Sequence, residues 1–76
     1  MRPKELRIIV TFETTTAAMA FESEAKKRQI GGRLIPVPRE ITSGCGLSLS
    51  APIEEKEQIY NLIQQLQYQQ VLELII

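Results

Sequence analysis

The chain contains one cysteine, Cys45, set in the turn Ser43-Gly44-Cys45-Gly46. A thiolate is a strong nucleophile near neutral pH, and no other side chain in this sequence is an obvious competitor. The sequence has no histidine, so it lacks the commonest general base and the commonest metal ligand. A lone cysteine excludes an internal disulfide or dithiol cycle but leaves exchange with another molecule open. No metal site and no cofactor is expected, because a single thiol without histidine is too poor a ligand set even for structural zinc. The chemistry this leaves is that of one accessible thiol, used without a general base.

Several neighbours could support such a thiol. The hydroxyls of Ser43, Thr14 and Thr15 could donate hydrogen bonds to it, and Arg39 could approach with positive charge. Gly44 and Gly46 would let a partner molecule come close to the backbone. A second reading of the same residues is structural. Cys45 shares strand parity with Leu47 and Leu49, so it could complete an inward-facing apolar row, as buried free cysteines often do. On that reading the glycines serve only the turn, Arg39-Glu40 is a solvated charge pair, and Thr14, Thr15 and Thr16 cap a helix.

The elements that must hold this turn follow from periodicity. Leu6, Ile8, Val10 and Phe12 alternate with Arg7, Ile9, Thr11 and Glu13, the pattern of a strand with one buried face. Ala17, Ala18, Phe21 and Ala25 recur at helical spacing, and the Lys26-Lys27-Arg28 run suits a helix C-terminus. A helix is expected over Thr15–Gln29, stopped by Gly31-Gly32. Arg33–Val37 reads as a second strand, at a sheet edge because Pro36 lacks an N–H. Pro38–Gly44 reads as a loop. Leu47 and Leu49 alternate with Ser48 and Ser50 in a third strand. Pro52 suits the first turn of a second helix, with the stripe Ile59, Leu62, Ile63 and Leu66. Val71–Ile76 forms a last strand.

The order β-α-β-β-α-β points to an α+β fold, the ferredoxin-like two-layer sandwich. Its four antiparallel strands run 4-1-3-2 with both helices on one face. That topology sets the start of the third strand beside the end of the first. Cys45 is therefore expected near Glu13–Thr16, where the N–H groups of a helix N-terminus favour a thiolate.

Composition bounds the rest. With 76 residues, the chain is expected to form one domain, 1–76. A chain of this size buries only about 60% of the surface exposed when unfolded. Nine basic and nine acidic residues cancel, so no overall field draws it to nucleic acid or to an anionic membrane. An RNA-binding sheet is disfavoured further, since Arg7, Ile9, Thr11, Ser48 and Ser50, the residues expected to face solvent, include no aromatic. The apolar-biased run after Met1-Arg2-Pro3-Lys4-Glu5 is too short for a signal sequence or a membrane span, and a cytoplasmic location is expected.

Two stretches, IIVTFETTTAAMAFE and RLIPVPREITSGCGLSL, resemble the family of small selenium/sulfur carrier-like domains over nearly the whole chain. Members open with a strand ending in Phe and a Ser/Thr-rich helix start. They continue through an R-x-[IL]-P-x-P-R segment to a small-residue turn bearing Cys-Gly. Arg33, Pro36, Pro38, Arg39, Cys45 and Gly46 occupy those positions here. The resemblance implies that Cys45 holds sulfur or selenium as a persulfide or selenosulfide, as a carrier rather than a turnover enzyme. Its partners would be sulfur or selenium donor and acceptor proteins. The chain departs from the pattern in two places. It lacks the Cys-Pro-x-Pro motif of carriers found in similar contexts, and it has Gly44 where many members place a small polar residue, leaving Ser43 as the local donor. The alternative is a non-catalytic interaction or ligand-sensing module on the same fold, with a homodimer formed through the apolar C-terminal edge strand.

Overall fold

The computed structural model describes residues 4–39, 41 and 46–75. Seven elements follow one another: β1 (Leu6–Thr11), α1 (Thr15–Lys27), β2 (Arg33–Pro36), β3 (Leu47–Pro52), a 3-10 turn (Ile53–Glu55), α2 (Lys56–Ile63) and β4 (Gln70–Ile75). The strands form one sheet in the order β2-β3-β1-β4, and every neighbouring pair is antiparallel. This is the ferredoxin-like two-layer arrangement, with β1 and β3 central and β2 and β4 at the edges.

Register explains which residues meet. Val10 lies opposite Leu49 on one side and Val71 on the other, and Ile8 lies opposite Ala51. These side chains share a face with Phe12 and pack against Ala18, Phe21 and Ala25 of α1 and Ile59 and Leu62 of α2. Phe12 and Phe21 stack tilted at 57°, with centroids 5.4 Å apart. That geometry adds to simple burial through the ring quadrupoles. The core is aliphatic apart from these two rings.

The α1 boundary differs from the expectation. The helix ends at Lys27, and the chain reverses at Gln29, whose φ is +60°, not at the glycine pair. The Gln29 N–H donates to the Lys26 carbonyl (3.0 Å) and the Ile30 N–H to the Ala25 carbonyl (2.9 Å). This is a Schellman termination, and it drops Ile30 into the core at 6% exposure. Gly31 and Gly32 lie beyond it. Gly32 is closely packed, since a Cβ there would meet the Ala51 Cβ and the Ser50 carbonyl at 3.3 Å, tighter than most such contacts.

The start of the second helix is also displaced. Pro52 is the last residue of β3, opposite Arg7, instead of the first residue of a helix. Its φ of −59° and ψ of 147° are extended. A proline fits at a strand end, where no ladder N–H is missed. The 3-10 turn then absorbs Ile53–Glu55, which leaves α2 with eight residues. Leu66 falls beyond the helix yet still packs against the core.

The largest difference concerns the face of the sheet that carries no helix. Ile9, Thr11 and Ser48 were expected to meet solvent there, yet each is 0% exposed, and Ser50 is 3% exposed. Arg7 lies across part of this face. Its Nε donates to Ser50 Oγ at 2.6 Å, and its Nη1 forms an ion pair with Glu5 at 2.7 Å. Period-2 alternation alone does not reveal this burial of Ser48 and Ser50. Thr11 Oγ1 and Ser48 Oγ, opposite each other in the register, have no hydrogen-bond partner. An unsatisfied buried hydroxyl costs about 1–3 kcal/mol.

Two stability measurements test these points. Gln29→Gly relieves a left-handed residue that has a Cβ, and chemical denaturation is expected to show a gain of about 1 kcal/mol. Thr11→Val keeps the side-chain shape and removes the orphaned hydroxyl, so it should stabilise by about 1 kcal/mol. A loss of similar size would mean that this hydroxyl is in use.

Candidate functional site

Three segments converge at the end of the sheet where β1 finishes. The first is the N-terminus of α1. Thr14 is its N-cap, with Oγ1 accepting from the Ala17 N–H at 3.1 Å, while its carbonyl accepts from Ala18 at 3.2 Å. The N–H groups of Thr15 and Thr16 lie outside the intrahelical ladder, as they do at any helix start. No acidic residue occupies the first turn, so nothing within it offsets the partial positive charge.

The second segment is the connection from α2 to β4. The Gln69 N–H donates to the Thr11 carbonyl at 2.7 Å, which ties this connection to the end of β1. Together with the helix start it encloses a cleft of about 320 Å³ lined by Glu13, Thr14, Ala17, Leu66, Gln67 and Tyr68.

The third segment is the β2–β3 connection. Pro36 and Leu47 are the last paired residues, and the Val37 N–H donates to the Gly46 carbonyl at 3.0 Å. That bond closes the neck of the loop. Within it, the Ile41 N–H donates to the Pro38 carbonyl at 3.0 Å, making a turn around the exposed Arg39. Register places Ser48 opposite Thr11, so the Leu47 end of β3 lies alongside the residues that lead from β1 into α1.

The site residues expected from sequence divide into two groups. Thr14 and Thr15 stand at the helix start, and Arg39 and Gly46 in the β2–β3 connection, all four exposed. Ser43, Gly44 and Cys45 lie outside the described residues. The capping reading of Thr14 holds, since its Oγ1 is already an acceptor for Ala17, and only its O–H remains free to donate. Gly46 has a φ of +76° and open space where a Cβ would project. A backbone in that region leaves the extended conformation, so the strand alternation of Leu47 and Leu49 does not extend back through Gly46. The reading of Cys45 as part of the inward-facing row falls outside the described residues. Gln67 and Tyr68 were not anticipated, because they follow a helix that ends at Ile63 and belong to no periodic stripe.

Among the described residues no helix is long and apolar enough to cross a membrane. Residues 7–73 match the family model described as "Putative Se/S carrier protein-like", and the chain belongs to that family. No curated protein and no solved structure shows significant similarity to it.

The cap can be weighed directly. Thr14→Ala should cost about 1 kcal/mol in denaturation midpoint experiments, while Thr14→Ser should cost little. Equal losses for the two variants would contradict capping through Oγ1.

Proposed function

We propose that the protein carries sulfur or selenium on Cys45, taking the atom from one protein and passing it to another. The observation that carries this reading is the family match across residues 7–73, in a chain whose only thiol is Cys45. Support comes from the connection that contains it. The neck closed by Val37 and Gly46 opens at the same end of the sheet as the α1 N-terminus, and Gly46 leaves room for another backbone to approach.

Loading would proceed by exchange. The Cys45 thiolate attacks the outer sulfur of a donor persulfide, forming a new S–S bond as the donor's S–S bond breaks and its thiolate departs. The sulfane sulfur keeps its oxidation state, so no outside oxidant is required. An acceptor nucleophile then attacks the outer atom, and the Cys45 thiolate leaves. A selenium atom held on a donor thiol would follow the same path to a selenosulfide. Neither step needs a general base once the thiolate is formed, which fits a chain without histidine. Thr15 and the Thr14 O–H can donate toward an anion at the helix start, Arg39 adds positive charge from the same connection, and Ser43 is the hydroxyl nearest in sequence. The redox state such a thiol requires is that of the cytoplasm.

A second reading is favoured by one observation. β4 is an edge strand with no proline, and Ile75 at its end is 66% exposed. Such an edge suits pairing with the same strand of a second copy. A homodimer of this kind is compatible with the carrier role, and by itself it would describe an interaction module.

One experiment separates the two. Native protein and Cys45→Ser are treated with a cysteine desulfurase plus cysteine, then weighed as intact chains, while alkylation of Cys45 is followed against pH. The carrier reading expects one added sulfur on the native chain only, and alkylation well below the free-thiol pKa of about 8.5. A thiol that reacts only after unfolding, combined with concentration-dependent dimerisation, would leave the interaction module instead.

A further inference from the structure

We infer that the opposite end of the sheet holds a binding site for a small oxyanion, the carboxylate or phosphate group of a small molecule, between Arg7 and Arg33. Both side chains line one shallow cleft of about 280 Å³, together with Gly31, Gly32 and Pro52. Arg7 is in β1 and Arg33 in β2; in the strand between them Arg7 lies opposite Pro52 and Arg33 opposite Ser50.

The two guanidinium groups differ in how they are held. Arg7 is fixed: its side chain is only 15% exposed and is bound through Nε to Ser50 Oγ, Nη1 to Glu5 and Nη2 to the Ser50 carbonyl at 3.5 Å. That engages three of its five N–H donors. The other two N–H groups of this held guanidinium have no hydrogen-bond partner among the described residues. Arg33 is exposed, and its side chain has no ion pair or hydrogen bond among the described residues. A fixed fork and a free one, lining the same cleft, match the planar, bidentate recognition of carboxylate and phosphate.

The glycines keep the floor low. Gly32 runs close against Ala51, leaving only 3.3 Å for a Cβ, and Gly31 donates its N–H to Glu55 Oε1 at 3.4 Å. With Glu5 and Glu55 included, the neighbourhood is neutral. Recognition here depends on directed N–H donors and not on net charge. Glu5 is 59% exposed and can give way when a ligand oxygen takes its place on Arg7. None of these residues belongs to the Cys45 end of the molecule, so the site stands or falls independently of the carrier reading.

The test is amide chemical-shift titration of the full chain with inorganic phosphate and, separately, acetate, against sodium chloride at matched ionic strength. Saturable shifts at Gly31, Gly32 and Arg33 are expected with at least one of the two oxyanions and not with chloride. Which oxyanion binds more tightly decides between a phosphate-bearing and a carboxylate-bearing ligand. Arg33→Gln should weaken binding about tenfold or more while the rest of the spectrum is unchanged, and Lys27→Gln, a substitution on α1, should bind as the native chain does. No saturable shift with either oxyanion would overturn the assignment. So would equal affinity in Arg33→Gln, or an equal loss in Lys27→Gln.

Discussion

Everything in this small domain depends on β1 being held on all sides. It is bonded to β3 along one edge and β4 along the other, and Ile8, Ile9, Val10, Thr11 and Phe12 are completely buried in succession. A strand in an open two-layer sheet ordinarily has one wet face. Here both are dry, and the second is covered in part by the aliphatic stem and guanidinium of Arg7 lying toward Ser50. In a chain that can bury only a modest fraction of its surface, such a strand contributes apolar area from both faces at once. The cost appears at Thr11 and Ser48, whose hydroxyls go without partners inside that second layer.

Fixing β1 also fixes both ends of the molecule. At its C-terminal end the chain passes within three residues to the Thr14 cap, and Gln69 returns to bond Thr11. At its N-terminal end, Arg7 links Glu5 to Ser50 beside the glycine pair. The thiol-bearing connection joins the first end and the two-arginine cleft the second. The six-residue strand separates them by roughly 17–20 Å, so neither needs to compromise the other.

Element order, strand order and the inward-facing rows were legible in the sequence because period-2 and period-3.6 patterns report directly on which face is buried. Pro36 marked an edge strand, and β2 is one. Three features escaped for local reasons. Gln29 took the left-handed position because Ile30, the next residue, gains burial by entering the core there, whereas a stop at Gly31 would have left it in the helix. Pro52 is equally suited to a strand end and a helix start, and only its pairing with Arg7 decides. On the second face, the long Arg7 side chain reaches across to Ser50, an effect that alternation cannot encode. At the site, the helix cap was readable from Thr14, but the contribution of Gln67 and Tyr68 comes from the return of the α2–β4 connection and has no signature in either residue.

The two edges of the sheet are unequal, and this limits how copies can associate. β2 has four residues and ends in proline, while β4 has six and none. A sheet with one receptive border can join another only border to matching border, about a two-fold axis. Such a join would use the border on both partners and leave the short, proline-ended strand facing outward. In the homodimer proposed above, association by strand addition would stop at a closed pair.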